Sequence, residues 1–326
     1  MNLAVPPLDL VIRADASRGI GAGHVMRCGA LAEEWLRLGV GSVTLAGVVD
    51  IPFVHGRLNA LGLAISPDRD MRLAHVVVVD TYDREERAQL GASGIGLLRV
   101  LVDDLGEVVP PGYQVVWNPN PYSSADLYDH FGGALITGRD AVPIRAGLPA
   151  WMPMVPGRTG VMLGAGSVSD TVRRAFRLLA QDTSLGSFCG PGEWLPPAWE
   201  QLDTHDPWWQ LARCERLITS CGASMWEAAA IGIPLVLVQT ADNQRLAAEW
   251  GGRAGVPAIV AEQTQSAEAL AAALREALPN SRPLPHLASG CGQVVARLLE
   301  LAGQARGTGA FTQASRGRRG DAGQDR

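Results

Sequence analysis

A histidine bracketed by glycines is the first residue of the chain whose type and setting suit chemistry. His24 stands in Ile20-Gly21-Ala22-Gly23-His24-Val25-Met26-Arg27, after an apolar run over 8–12 and before 28–38, where apolar residues recur at helical spacing. A strand that turns into a helix through small residues is where an open α/β sheet carries its reacting and phosphate-binding groups, at the carboxyl ends of its strands. Gly21 and Gly23 suit close approach of a ligand there. They equally suit a tight turn in which His24 only caps a helix, because short glycine motifs also match by chance. Arg27, one helical turn on, can pair with a carboxylate or reach a substrate anion. Three later apolar runs also end in polar residues: 75–79 in Asp80-Thr81-Tyr82-Asp83, 97–102 in Asp103-Asp104, and 113–117 in Asn118-Pro119-Asn120-Pro121. Polar clusters at several strand ends predict one shared cleft.

The second half repeats the device. Ser220-Cys221-Gly222-Ala223-Ser224 opens a helix, whose first turn exposes unpaired N–H groups and the positive end of the helix dipole. Small residues let an anion reach those groups, and a diphosphate is the natural candidate. Gly164-Ala165-Gly166-Ser167 has the same strand–turn–helix layout and would hold the other side of the same ligand. Glu227, three residues past Ser224, is placed to accept both hydroxyls of a ribose or to stabilise the helix dipole. Asp242-Asn243-Gln244, at the next strand–helix junction, would cap the helix, bind sugar hydroxyls, or both.

The elements that must position these residues follow from the hydrophobic pattern. Strands are predicted at 8–14, 42–46, 75–79, 97–102 and 113–117, with helices at 24–38, 54–61 and 84–90 between them. The continuous apolar runs are those of parallel strands buried on both faces. A proline-rich stretch over 151–158 reads as a linker. Beyond it, strands at 160–163, 184–189, 216–219, 234–238 and 256–260 alternate with helices at 170–180, 208–212, 224–231, 243–250, 266–278 and 292–301. The expected division is a first α/β domain over 1–150, a second over 159–303, and a disordered tail over 304–326 with almost nothing apolar. Two Rossmann-like domains facing each other across a cleft are the predicted architecture.

Composition sets limits. Of 326 residues 47% are hydrophobic and 19% charged, which suits a globular protein of two domains, and the net charge of −5 gives no basic footprint for nucleic acid. No apolar run reaches the length of a membrane span, and the expected location is the cytoplasm. The 5 cysteines form no CxxC pair, so neither a zinc site nor a disulfide framework is expected. There is no lysine: all 28 basic residues are arginine. That excludes a Schiff-base lysine and a Walker A loop, so any phosphate must be held by backbone N–H groups, helix N-termini, hydroxyls or arginine.

Taken together, the spaced motifs resemble the PseG/SpsG family, sugar-nucleotide hydrolases of pseudaminic acid biosynthesis. The resemblance runs through Asp15-Ala16-Ser17, Gly21 to Cys28, Asp80-Thr81-Tyr82, Asp103-Asp104-Leu105, Asn118-Pro119-Asn120, Ser220 to Glu227, Gly232-Ile233-Pro234 and Ala241 to Gln244. That family is similar in fold to MurG-type GT-B glycosyltransferases. The resemblance implies UDP held mainly by the second domain, with Glu227 on the ribose. It places His24 near the anomeric carbon, and Tyr82 and Asn243 along the sugar. The chain departs from the family at Gly164 to Asp170, at Gly222-Ala223-Ser224, and over Gly138 to Arg145.

Displacing UDP from C1 needs an in-line nucleophile and a base. An imidazole titrates near neutral pH and suits that proton transfer, with Asp15, Asp80 or Asp83 as candidates to orient it, although loop capping is the preferred role for Asp83. The substrate-contact candidates are thus Asp15, Gly21, Gly23, Arg27, Asp80, Asn243 and Gln244. Those for the nucleotide are Gly164, Gly166, Ser167, Gly222, Ser224 and Glu227, and those for catalysis His24 and Tyr82. The expected enzyme works on a UDP-sugar without cofactor or metal and inverts the anomeric centre. The favoured reading is a glycosyltransferase to a small acceptor in natural-product or cell-surface sugar biosynthesis. The alternatives are a hydrolase that uses water and a sugar-nucleotide-binding protein without turnover.

Overall fold

A computed structural model describes residues 7–307. The first sheet is parallel throughout and is built from β1 (Leu10–Ala14), β2 (Val43–Leu45), β3 (Ala64–Ile65), β4 (Val76–Asp80), β5 (Leu98–Val102), β6 (Val115–Trp117) and β7 (Ala134–Ile136). Their order is β3-β2-β1-β4-β5-β6-β7. Helices α1 (Gly23–Arg37), α2 (Pro52–Ala60) and α3 (Arg84–Ala92) cross between strands. β4 shows why the central strands read as unbroken apolar runs: all five of its residues, Val76–Asp80, are buried, with one core cluster on each side of the sheet.

The second sheet is also parallel, in the order β10-β9-β8-β11-β12-β13. It comprises β8 (Val155–Met162), β9 (Phe188–Gly190), β10 (Glu200–Gln201), β11 (Cys214–Ser220), β12 (Leu235–Gln239) and β13 (Ala258–Val260). The accompanying helices are α4 (Asp170–Leu179), α5 (Trp208–Leu211), α6 (Ala223–Ile231), α7 (Arg245–Arg253) and α8 (Ala267–Ala277). Two further core clusters cover its faces.

Each sheet has one place where the strand order reverses. In the first it lies between β1 and β4, in the second between β8 and β11. Open α/β sheets bind ligands in the crevice outside the carboxyl ends of the strands at that point. The histidine turn follows β1 and the Asp80–Tyr82 cluster ends β4. The two small-residue turns of the second half follow β8 and β11. All four segments meet at one cleft.

Three features differ from the sequence reading. The last helix, α9 (Cys291–Gly307), does not stay with the second domain. Its Val294, Val295, Leu298 and Ala302 complete the first core, packed with Leu31 and Trp35 of α1. The chain therefore crosses the cleft twice. α9 also takes in Gln304–Gly307, which had been read as tail, whereas 308–326, like 1–6, lies outside the described residues. Finally, β8 starts at Val155 rather than 160, because Val155 already pairs with Cys214, so 155–158 of the supposed linker belongs to the second sheet.

Candidate functional site

His24 is the second residue of α1, but it does not cap that helix. The N-cap is Ala22, and no side chain caps it. The ring instead turns toward the end of β4, where its Nδ1 lies 2.5 Å from Oδ1 of Asp80. Asp80 is buried at the strand end and also receives Arg27 in a two-pronged pair, Nε on Oδ2 and Nη2 on Oδ1, both at 2.6 Å. Burial alone would raise the Asp80 pKa, but the Arg27 guanidinium and the imidazole hold the carboxyl well below the usual range. An ionised Asp80 can only accept, so Nδ1 carries a hydrogen and Nε2 is the ring nitrogen left for proton transfer.

Arg27 continues the chain of contacts through Nη1 to Asp104 Oδ2, 2.7 Å away. The Tyr82 hydroxyl donates to the same Asp104 oxygen at 2.8 Å and accepts from Asn243 Nδ2 at 3.0 Å. Its ring stands edge-on to His24, with centroids 4.5 Å apart. Burial raises the phenol well above its ordinary value, so Tyr82 acts here as a neutral hydrogen-bonding group. Asn243 belongs to the second domain, and this bond bridges the cleft.

Of the three carboxylates that could orient the imidazole, Asp80 is in contact with it and the other two are committed elsewhere. Asp15 forms a paired salt bridge with Arg13 at 2.6 and 2.7 Å and accepts from the Val48 N–H. Asp83 caps α3, accepting from the N–H groups of Glu85 and Glu86. Arg27 serves the carboxylates of its own domain. Gln244 lines the cleft, with its Oε1 accepting from Thr240 N at 2.9 Å. Asp103 is structural, bound to Tyr128, Gly106 and Glu107, and Asn118 is buried against Tyr128 and Asn120.

The two small-residue turns of the second domain differ in kind. Gly164–Ser167 meets the first domain: Ser167 N donates to Arg18 O at 3.1 Å, and a Cβ on Gly21 would lie 3.8 Å from the Gly166 backbone. Gly21 has φ +85, which only glycine adopts without strain. This turn does not itself open α4, which Ser169 caps through Val172 N. The turn after β11 does open a helix. Gly222 precedes α6 with no side-chain cap, so the first-turn N–H groups of Ala223 and Ser224 lack intrahelical acceptors and border the cleft.

Glu227 lies one turn into α6 and lines the same cleft. Burial raises its pKa, opposed by the Arg145 and Arg57 guanidinium groups and the Trp208 indole beside it. Arg145 is a functional candidate that the sequence reading did not single out. Its side chain is 7% exposed, its Nη2 donates to Asp206 Oδ1 at 2.5 Å, and its Nε lies 3.4 Å from Glu227 Oε1. No local pattern marks it: it stands in an irregular stretch between Val142 and Ile144, which pack into the second core, and Ala146, bound to Glu33. The only sequence signal was its place in a segment that follows the family pattern loosely.

The cleft between the domains is about 1260 Å³. Its first-domain wall carries His24, Tyr82 and Asp104, and its second-domain wall Gly222, Ser224 and Glu227. At its floor Tyr122 of the first domain packs against Trp226, ring centroids 6.2 Å apart, and Trp226 against Trp250 at 5.5 Å. Among the described residues no group of three or more His, Cys, Asp or Glu could hold a metal ion, and no helix is long and apolar enough to cross a membrane.

Two parallel α/β domains with their switch points opposed across a cleft define the GT-B fold. No protein-family model matches the chain, and no curated protein sequence matches it. Among solved structures it is similar to the glycosyltransferase of kitacinnamycin (17% identity over 94% of this chain and 96% of that one, TM-score 0.56). It is similar also to MurG of Acinetobacter baumannii (15%, 90% and 100%, TM-score 0.53). A third is the UDP-GlcNAc 2-epimerase of Neisseria meningitidis, solved with UDP-GlcNAc bound (11%, 90% and 99%, TM-score 0.58). At these identities the likeness is one of fold, and one fold here carries transferases and epimerases alike.

Proposed function

We propose that the protein is a glycosyltransferase that displaces UDP from the anomeric carbon of a UDP-sugar with inversion. The observation that carries this reading is the His24–Asp80 pair at 2.5 Å, set at one switch point and facing the open N-terminus of α6 at the other. In this reading the first domain holds sugar and acceptor and the second holds UDP. Asp80 fixes the imidazole so that Nε2 takes the proton from the incoming hydroxyl or amine as it attacks C1. The bond from C1 to the diphosphate oxygen breaks on the opposite face. The N–H groups at the start of α6, with Ser224, meet the charge that builds on the leaving diphosphate. Glu227 accepts from the ribose hydroxyls. Tyr82 and Asn243, joined across the cleft, line the sugar. The acceptor is a small molecule.

The resemblance to the PseG/SpsG hydrolases supplies the competing nucleophile, water. Incubation with a panel of UDP-sugars, with and without candidate acceptors, separates the readings. Release of UDP only when an acceptor is present supports transfer. Release without acceptor makes the protein a hydrolase, and binding with no release under either condition makes it a sugar-nucleotide-binding protein.

A further inference from the structure

Arg145 is buried, charged and only partly satisfied, and it pairs with Glu227, a carboxylate that lines the second-domain wall of the cleft. Its Nη2 is spent on Asp206. Its Nε is shielded from solvent and has no hydrogen-bond acceptor, although Glu227 Oε1 is 3.4 Å away. A buried guanidinium N–H left unpaired is costly, and a shift of a few tenths of an ångström would turn this ion pair into a hydrogen bond. The backbone around Arg145 is held from several sides: Ser289 Oγ donates to Ile144 O at 2.7 Å, Ala146 N donates to Glu33 Oε2 at 3.2 Å, and Val142 and Ile144 sit in the second core. The side chain is thus a fixed strut, and Glu227 on α6 is the group it braces.

We propose that Arg145 is the positioning residue of the nucleotide site: it orients the Glu227 carboxylate to accept both ribose hydroxyls, and so sets the preference for ribonucleotides over 2′-deoxyribonucleotides. This rests on the assignment of Glu227 to the ribose. Arg145 Nε lies beside Oε1, and Glu227 as a whole lines the cleft. Carboxylate-to-hydroxyl bonds need the ionised form, and burial works against it. The charged groups that face Glu227 are Arg57 from α2, Arg145, and Asp206 before α5. Arg57 is itself shared with Glu33 at 3.4 Å, and burial and the nearby Arg145 lower its pKa. Arg145 is therefore the nearer and more rigid of the two cations that keep Glu227 charged.

The test is calorimetric binding of UDP and 2′-deoxy-UDP, from pH 5.5 to 8.5, to the full chain and to Arg145→Gln, Arg145→Lys and Glu227→Gln. The unaltered protein is expected to prefer UDP by about tenfold or more, the size of a hydrogen bond to a charged group. Arg145→Gln should lose most of that preference while holding 2′-deoxy-UDP about as before, and the acid-side loss of UDP binding should move to higher pH. Arg145→Lys, which restores charge without the planar fork, should recover the pH profile but only part of the preference. Equal weakening of both nucleotides in Arg145→Gln and Arg145→Lys, or a preference that both variants retain, overturns the proposal. Should Arg145→Gln not fold, Arg145→Lys and the pH dependence of the unaltered protein's preference, expected to fall as Glu227 protonates, decide alone. Failure of the unaltered protein to bind either nucleotide overturns the UDP reading itself. A preference that persists in Glu227→Gln overturns the ribose assignment.

Discussion

At the residue scale the site turns on buried charge. His24→Ala should lower turnover by about 10²–10⁴-fold, the usual worth of a general base, and leave UDP affinity nearly unchanged, because the proposed nucleotide contacts, Gly222, Ser224 and Glu227, lie on the other domain. Single-turnover rates and calorimetry check the two halves of that statement, and equal loss of both refutes it. Asp80→Asn keeps the shape but strips Arg27 of its doubly bonded partner. Breaking a buried pair from one side costs about 3–5 kcal/mol. The pKa of Asp80 is depressed in the folded state, so its stabilisation is complete above the ordinary carboxylate range and lost as pH falls below it. Melting temperature should therefore drop on acidification below about pH 4, and the Asn variant should show a flatter profile from a lower start. His24 and Asp80 were both visible as candidates in the sequence, His24 from its glycine-flanked turn and Asp80 from its place at the end of an apolar run. Their pairing was not: Asp15 had an equal claim until its Arg13 partner was in view, whereas Asp83, favoured as a cap, does cap α3.

At the level of elements, β4 is the unbroken apolar run ending in acid that marks a central strand, whereas the other switch-point strands β1, β8 and β11 carry polar residues within them and show only a shorter apolar stretch. The strands that escaped notice, β3, β7 and β10, are the short edge strands of the two sheets, two or three residues long. Such runs are too brief to carry a period, and their position is set by the neighbour they pair with. Partner choice was hidden likewise for α9. Its amphipathic pattern predicts a helix but says nothing about which core it enters. Leu298 is fully buried in the first core, alongside Trp35 and Trp117. Leu298→Ala should cost about 2–5 kcal/mol. Because the helix comes last in the chain yet closes the first domain, the loss should appear as earlier unfolding of that domain, read by faster exchange of β1 and β4 amides. Faster exchange confined to the second sheet instead would contradict the placement of α9.

For the whole molecule, one polar contact across the cleft leads to the His24–Asp80 pair. From Asn243 the bonds run through the Tyr82 hydroxyl, Asp104 and Arg27 to Asp80 and His24. Domain approach and imidazole orientation are thereby linked, since the second domain's only part in this chain is the Asn243 amide. If the link matters for reaction, Tyr82→Phe and Asn243→Ala remove the same connection from opposite ends. Each should lower kcat/KM for the UDP-sugar by about tenfold. The double variant should be scarcely worse than either, a coupling of about 1 kcal/mol, as groups in one hydrogen-bonded network show. Two residues that merely touched the sugar at separate hydroxyls would instead multiply their effects. A double variant about a hundredfold impaired would therefore break the link, and leave Tyr82 and Asn243 as independent walls of one pocket.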